Sequence, residues 1–195
     1  MTRPPAPAPA SFAVAPLDAY AERITSGIAL LGGVTLLPAL FLTLSGLLLR
    51  AGAVPGVLVS LAIAATLGTW LLLNYAAQPV EYVIDADRVL IRRRWWRRPL
   101  VVRFDRLVAV STAGALADVP RSGVRQAFNA GVFGYHGPFT LSGLGRVFLS
   151  ATHRERLVAI ARHDGPPLLI SPAQPRLFVD ALRQALIDAA TRGDR

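Results

Sequence analysis

Apolar positions along this chain fall into three regimes. From Ile24 to Leu49, and again from Val57 to Ala76, nearly every residue is apolar, and no Asp, Glu, Lys or Arg lies between Arg23 and Arg50 or between Arg50 and Glu81. From Pro79 onward the pattern alternates with a period of two, which is strand spacing. Near the C-terminus it changes to the spacing of an amphipathic helix. Uncharged apolar runs of 18 or more residues read as membrane-spanning helices, because the hydrocarbon core is about 30 Å thick. At a rise of 1.5 Å per residue the first run reaches ~39 Å and the second ~30 Å. The short link Arg50–Gly56 leaves room only for a tight antiparallel turn. The pattern therefore predicts a two-helix transmembrane hairpin over residues 20–77, with a domain of residues 78–192 behind it.

Within the first run Pro38 predicts a kink, since it lacks the backbone donor and its ring crowds the preceding turn. Small residues recur at helical spacing, at Ala29 and Gly33 and then at Ser60, Ala64 and Gly68, and such faces let helix backbones approach closely in lipid. They serve packing within the hairpin or a homodimer through the second face. Tyr75 suits an interfacial anchor better than Trp70. No ionisable residue lies inside either run, which argues against an ion path, proton relay or transporter. Residues 1–19 are rich in Pro and Ala and are expected to form a disordered cytoplasmic leader. Their first strongly apolar stretch begins too late and runs too long for a cleaved signal peptide.

In the remainder, Val80–Ile84 and Val89–Arg94 read as a hairpin around the turn Asp85-Ala86-Asp87-Arg88. Further strands are expected at Leu100–Phe104, Arg106–Val110, Arg146–Ala151, Arg156–Arg162 and Leu168–Ile170, the last two joined through His163-Asp164-Gly165-Pro166. Ala113–Gly123 and the glycine-punctuated stretch 131–145 read as irregular. At the end, Ser171 as N-cap, Pro172 at the first helical position and Gln174 at the third form a capping box. Phe178, Ala181, Leu182, Ala185, Leu186 and Ala189 follow on one face, with Arg176, Asp180, Arg183 and Asp188 elsewhere. The sum is about seven short antiparallel strands capped by a C-terminal helix.

Composition refines this picture. The chain of 195 residues is 53% hydrophobic and has no cysteine, so disulfides, thiolate metal sites and cysteine nucleophiles are excluded. Its net charge of +9 is carried entirely by arginine, with no lysine. Arg92, Arg93, Arg94, Arg97 and Arg98 crowd one short window, whereas the turn between the apolar runs holds only Arg50. By the positive-inside rule both termini should face the cytoplasm, making this a two-pass protein of the cell membrane.

The stretches YVIDADRVLIRR, PLVVRFDRL and GVFGYHGPFTLSGLGRVFLSATHRERLVAIARHDGPPLLISPAQPRLFVDAL resemble the bacterial pleckstrin-homology (PH)-like domain family that follows a pair of membrane helices. The last is the most specific, with Gly-x-Phe-Gly-Tyr-x-Gly-x-Phe and an Ile-Ser-Pro leading into the helix. The resemblance covers about residues 79–187. It implies a membrane α-helical hairpin plus a mainly-β domain, in which a partly open barrel of two sheets is closed by the C-terminal helix. It implies no catalytic residues and no single ligand, since PH-like folds host lipid, peptide and protein binding.

Two clusters are candidates for binding. Arg92, Arg93, Arg94, Trp95, Trp96, Arg97 and Arg98 combine charge for anionic headgroups with rings that favour the interface, or they form an exposed turn whose charge only fixes topology. Phe133, Tyr135, His136 and Phe139 form either an apolar docking loop for a protein partner or a cap on one end of the barrel. His136, His153 and His163 are scattered and no nucleophile elbow or P-loop is present, so no enzyme activity, metal or cofactor is expected. Nucleic acid is not an expected partner of a domain held against a bilayer. The reading is a membrane-tethered, non-catalytic binding or scaffold module at the inner membrane surface. The alternatives are sensing of anionic lipid headgroups through residues 92–98 and service as an accessory subunit of a larger membrane complex.

Overall fold

The computed structural model describes residues 9–48, 53–112, 124–125, 131–141 and 145–193. Strands β1 (Ala10–Ala13), β2 (Pro79–Ile84), β3 (Arg88–Arg93) and β4 (Leu100–Arg103) form a four-stranded antiparallel sheet in that order. A 3-10 turn over Phe104–Arg106 then leads into a second sheet. Its strands are β5 (Leu107–Thr112), β6 (Val124–Arg125), β7 (Tyr135–Leu141), β8 (Gly145–Ala151), β9 (Val158–Arg162) and β10 (Gly165–Ile170), in the order β5-β9-β10-β8-β7-β6. Helix α1 (Ala19–Ile28), a π-helical stretch (Ala29–Leu36), α2 (Leu37–Leu48) and α3 (Ala53–Ala77) lie between β1 and β2. Helix α4 (Pro175–Gly193) ends the described chain.

Alternation explains the layers. In β8, β9 and β10 odd and even residues enter different cores. Ile160, Leu168 and Ile170 meet Tyr82, Ile91, Phe178 and Leu182 between the two sheets and α4. Leu149, Ala151, Leu157 and Leu169 meet Tyr135, Phe139 and Ala21 of α1 on the other side. The centre of the six-stranded sheet, at β8 and β10, is thus buried on both faces, which is why Leu168-Leu169-Ile170 reads as an unbroken apolar run.

Several expectations are corrected. The leader is not disordered throughout: Ala10–Ala13 pairs with β2, Ala10 facing Ile84 and Ala13 facing Glu81, and Phe12 packs edge-on against Phe178. Only residues 1–8 of that leader lie outside the described residues, as does the Ala113–Gly123 segment. The strands are not all antiparallel, because β10 runs parallel to β8. The glycine-rich stretch contains a full strand, β7, paired with β8 along its length. Finally, α4 starts at Pro175, and Ser171 is no N-cap. Residues 171–173 instead pair with the N-terminal segment, through Ala15 N–H to Ser171 O, Ala173 N–H to Ala13 O and a Val14–Pro172 bridge. These long-range bonds outcompete the local cap. The apolar face expected for the helix does bury, with Phe178 and Leu182 fully inside.

One helical run, Ala19–Gly46, is long and apolar enough to cross a membrane, and none of its apolar window is buried inside the protein. The second expected span lies on α3, whose described apolar part, Leu61–Ala77, is shorter than that criterion. Around Pro38 the helix takes a π-helical register over Ala29–Leu36. That widened turn is one way of accommodating a ring that clashes with the carbonyls before it.

Candidate functional site

The two clusters singled out in the sequence meet in space, at the junction where the helices join the sheets. Tyr75, in the last turn of α3, is the centre. Its ring packs edge-on against Trp95 at 5.6 Å and against Phe133 at 5.2 Å between centroids. The Arg94 guanidinium sits 4.6 Å from the ring centroid and donates to Tyr75 Oη at 3.0 Å. The backbone adds Arg94 N–H to Gln78 O and Trp95 N–H to Ala76 O. The β3–β4 hairpin is therefore fastened to the end of α3 and does not swing from it.

The five arginines of the hairpin have different surroundings. Arg92 pairs with Glu81 at 2.8 Å on the outer face of the first sheet, and Ser11 Oγ also donates to Glu81. Arg93 donates to Arg98 O at 3.2 Å and lies 4.3 Å over the Trp96 ring. Burial lowers its pKa from the ordinary arginine value, and its Nε finds no partner among the described residues. Arg94 is taken by Tyr75. Arg97 and Arg98 are exposed, as are Trp95 and Trp96 at 60% and 48%.

The second cluster divides. Tyr135 and Phe139 are buried and present no surface to a partner; they belong to the second core, beside Ala21 of α1. Phe133 and His136 are half-buried. Phe133 adopts a left-handed φ of 55°. The strain is held by three contacts: its ring on Tyr75, its N–H on Thr25 Oγ1 at 2.9 Å, and its carbonyl on His136 Nε2 at 3.2 Å. Thr25 in turn donates to Gly131 O. One loop thus touches α1 through Thr25 and α3 through Tyr75. Burial, with the Arg93 charge adding to it, pushes His136 down to about 4. The imidazole is neutral at physiological pH, with its proton on Nε2 facing the Phe133 carbonyl.

Glycines make this loop possible. Gly134 has a φ of +114°, and a Cβ there would lie 2.8 Å from the Ala151 carbonyl oxygen. Gly134→Ala should destabilise the protein by about 2–3 kcal/mol, read as a lowered midpoint in thermal unfolding. Gly145 has a φ of +69° with open space around it. Gly145→Ala should cost only the backbone strain, about 1 kcal/mol.

A third group was not legible as a site. Asp18 caps α1 by accepting from Ala21 N–H at 2.8 Å. Its carboxylate also accepts from the Tyr135 hydroxyl and from the backbone and side chain of Arg154, at 3.0–3.1 Å. Desolvation alone would raise its pKa, but these bonds outweigh it and hold the carboxyl below the ordinary value. Asp18 before an alanine-rich run is readable as an N-cap; its partners 117 and 136 residues away carry no sequence signal.

Among the described residues no three His, Asp or Glu gather as metal ligands. No curated protein and no solved structure matches the chain. Residues 80–186, from β2 to the middle of α4, match the family described as bacterial PH domain. With two sheets closed by a C-terminal helix over more than half its length, the chain belongs to the bacterial PH domain family.

Proposed function

We propose that this chain is a membrane-tethered, non-catalytic binding or scaffold module, crossing the inner membrane twice with its PH domain on the cytoplasmic face. One observation carries the reading. The chain leaves the four-stranded sheet at Ala13 and re-enters it at Pro79, and Ala13 lies opposite Glu81 in the pairing of β1 with β2. A helical excursion that starts and ends at one point of one sheet must cross a bilayer an even number of times. The Ala19–Gly46 run supplies one crossing by length and composition. Helix α3, 25 residues long and packed against α2, supplies the return. The arginine excess on the domain side sets the orientation. Membership of the bacterial PH domain family, whose fold generally serves binding, supports a non-catalytic role.

Because the chain has no cysteine, single thiols test this directly. In intact spheroplasts a membrane-impermeant maleimide should label Gly52→Cys, in the sequence link 50–56 between the two apolar runs, and should reach Asp164→Cys, in the exposed β9–β10 turn, only after permeabilisation. Equal labelling of both before permeabilisation, or labelling of Asp164→Cys alone, would overturn the topology.

A further inference from the structure

We propose that the β3–β4 hairpin is a seat for the anionic phospholipid headgroups of the leaflet that α1 and α3 enter, and that Arg97 and Arg98 are its phosphate-binding groups. The inference rests on the tethered reading above and adds to it a ligand class and a division of labour among the five arginines. That division follows from what each guanidinium already touches. Arg92 is neutralised by Glu81, Arg93 is spent on Arg98 O and the Trp96 ring, and Arg94 is spent on Tyr75. Arg97 and Arg98 have side chains with no partner among the described residues. They flank two exposed indoles that are the most accessible aromatic surface among the described residues of the domain.

Position argues for lipid over any other polyanion. Trp95 is anchored by its backbone to Ala76 O and by its ring to Tyr75, so the hairpin stands level with the end of an apolar helix. Indole rings at that level favour the headgroup zone, and arginines beside them gain from the anionic surface. Tyr75 and Arg94 are positioning residues: they hold the hairpin at that height without facing the phosphate. Backbone welding also removes most of the ordering cost that a loose loop would meet on docking.

The test uses the full chain in lipid nanodiscs of zwitterionic phosphatidylcholine alone or with a third phosphatidylglycerol. Trp70→Phe leaves Trp95 and Trp96 as the only indoles, and lipid brominated high on the acyl chain quenches whichever of them dock. Quenching should be strong in the anionic discs. The Arg97→Ala/Arg98→Ala double variant should shift the docked-to-undocked ratio by about 30-fold while matching the parent in zwitterionic discs. Arg92→Ala, which removes a hairpin arginine already paired with Glu81 and not assigned to phosphate, should leave the ratio nearly unchanged. Absence of anion-dependent quenching, an equal loss in Arg92→Ala, or undocking by added single-stranded oligonucleotide at equal charge would overturn the proposal. Failure of the chain to enter discs at all would overturn the tether itself, an outcome separable from these.

Discussion

Asp18→Ala should destabilise the full chain in detergent micelles by about 3–5 kcal/mol, seen as a large fall in the thermal midpoint of its β-sheet circular dichroism. The side chain of Asp18 is 8% exposed and that of Arg154 20%, so solvent does little to screen the pair. Removing the carboxylate orphans the Tyr135 hydroxyl inside the protein, strands the Arg154 guanidinium between the rings of Tyr20 and Tyr135, and strips the cap from α1. Asp18→Asn keeps the cap and should lose less. The effect carries a pH signature. Folding holds this carboxyl below its ordinary value, so it favours the ionised form. The contribution is complete above about pH 4, the unfolded value, and disappears as pH falls through the lower folded value. The stability gap between the parent and Asp18→Asn should therefore close on acidification below about pH 4. A gap that stays constant down to the acid limit would show that the carboxylate charge is not what matters.

Phe178→Ala should cost about 3–5 kcal/mol and loosen α4 from the sheets. The ring is fully buried and lies 5.2 Å from Phe12 and 6.2 Å from Tyr82, both edge-on. It joins the N-terminal strand, the first sheet and the C-terminal helix at one point, so a cavity there weakens three elements at once. Leu177→Ala, one residue earlier and 56% exposed, should stay within about 0.5 kcal/mol. Denaturant unfolding of the two variants side by side checks the contrast. If both shift alike, α4 is not held by the face described.

The predictions differ in how much of them could be read from the sequence. The burial of Phe178 follows from its place on the apolar stripe with Leu182 and Ala185, because a 3.6-residue period reports directly which face turns inward. The Asp85–Arg88 turn and its flanking strands were legible for the same local reason. By contrast, Ser171 carried a correct local signal for a cap and lost to Ala13 and Ala15, whose pairing with residues 171–173 is invisible from either end. Tyr135 and Phe139 show the same limit from the other side. A glycine-punctuated aromatic stretch reads either as a docking loop or as a cap until β8 pairs along it and the second core closes over its rings.

Where this protein is apolar, where it alternates, where its charge lies and that a helix with one buried face follows the strands are all written along the chain, because each is a property of neighbouring residues. Tertiary structure alone decided that a leader rich in Pro and Ala supplies the first strand, that β10 runs parallel to β8, and that Asp18 meets Arg154. It also brought Tyr75, Trp95 and Phe133 together at the mouth of the helices. Those contacts join segments separated by tens to more than a hundred residues. Which of many possible partners is met at that range is fixed by sheet register and by the competition to satisfy buried polar groups, neither of which is written locally.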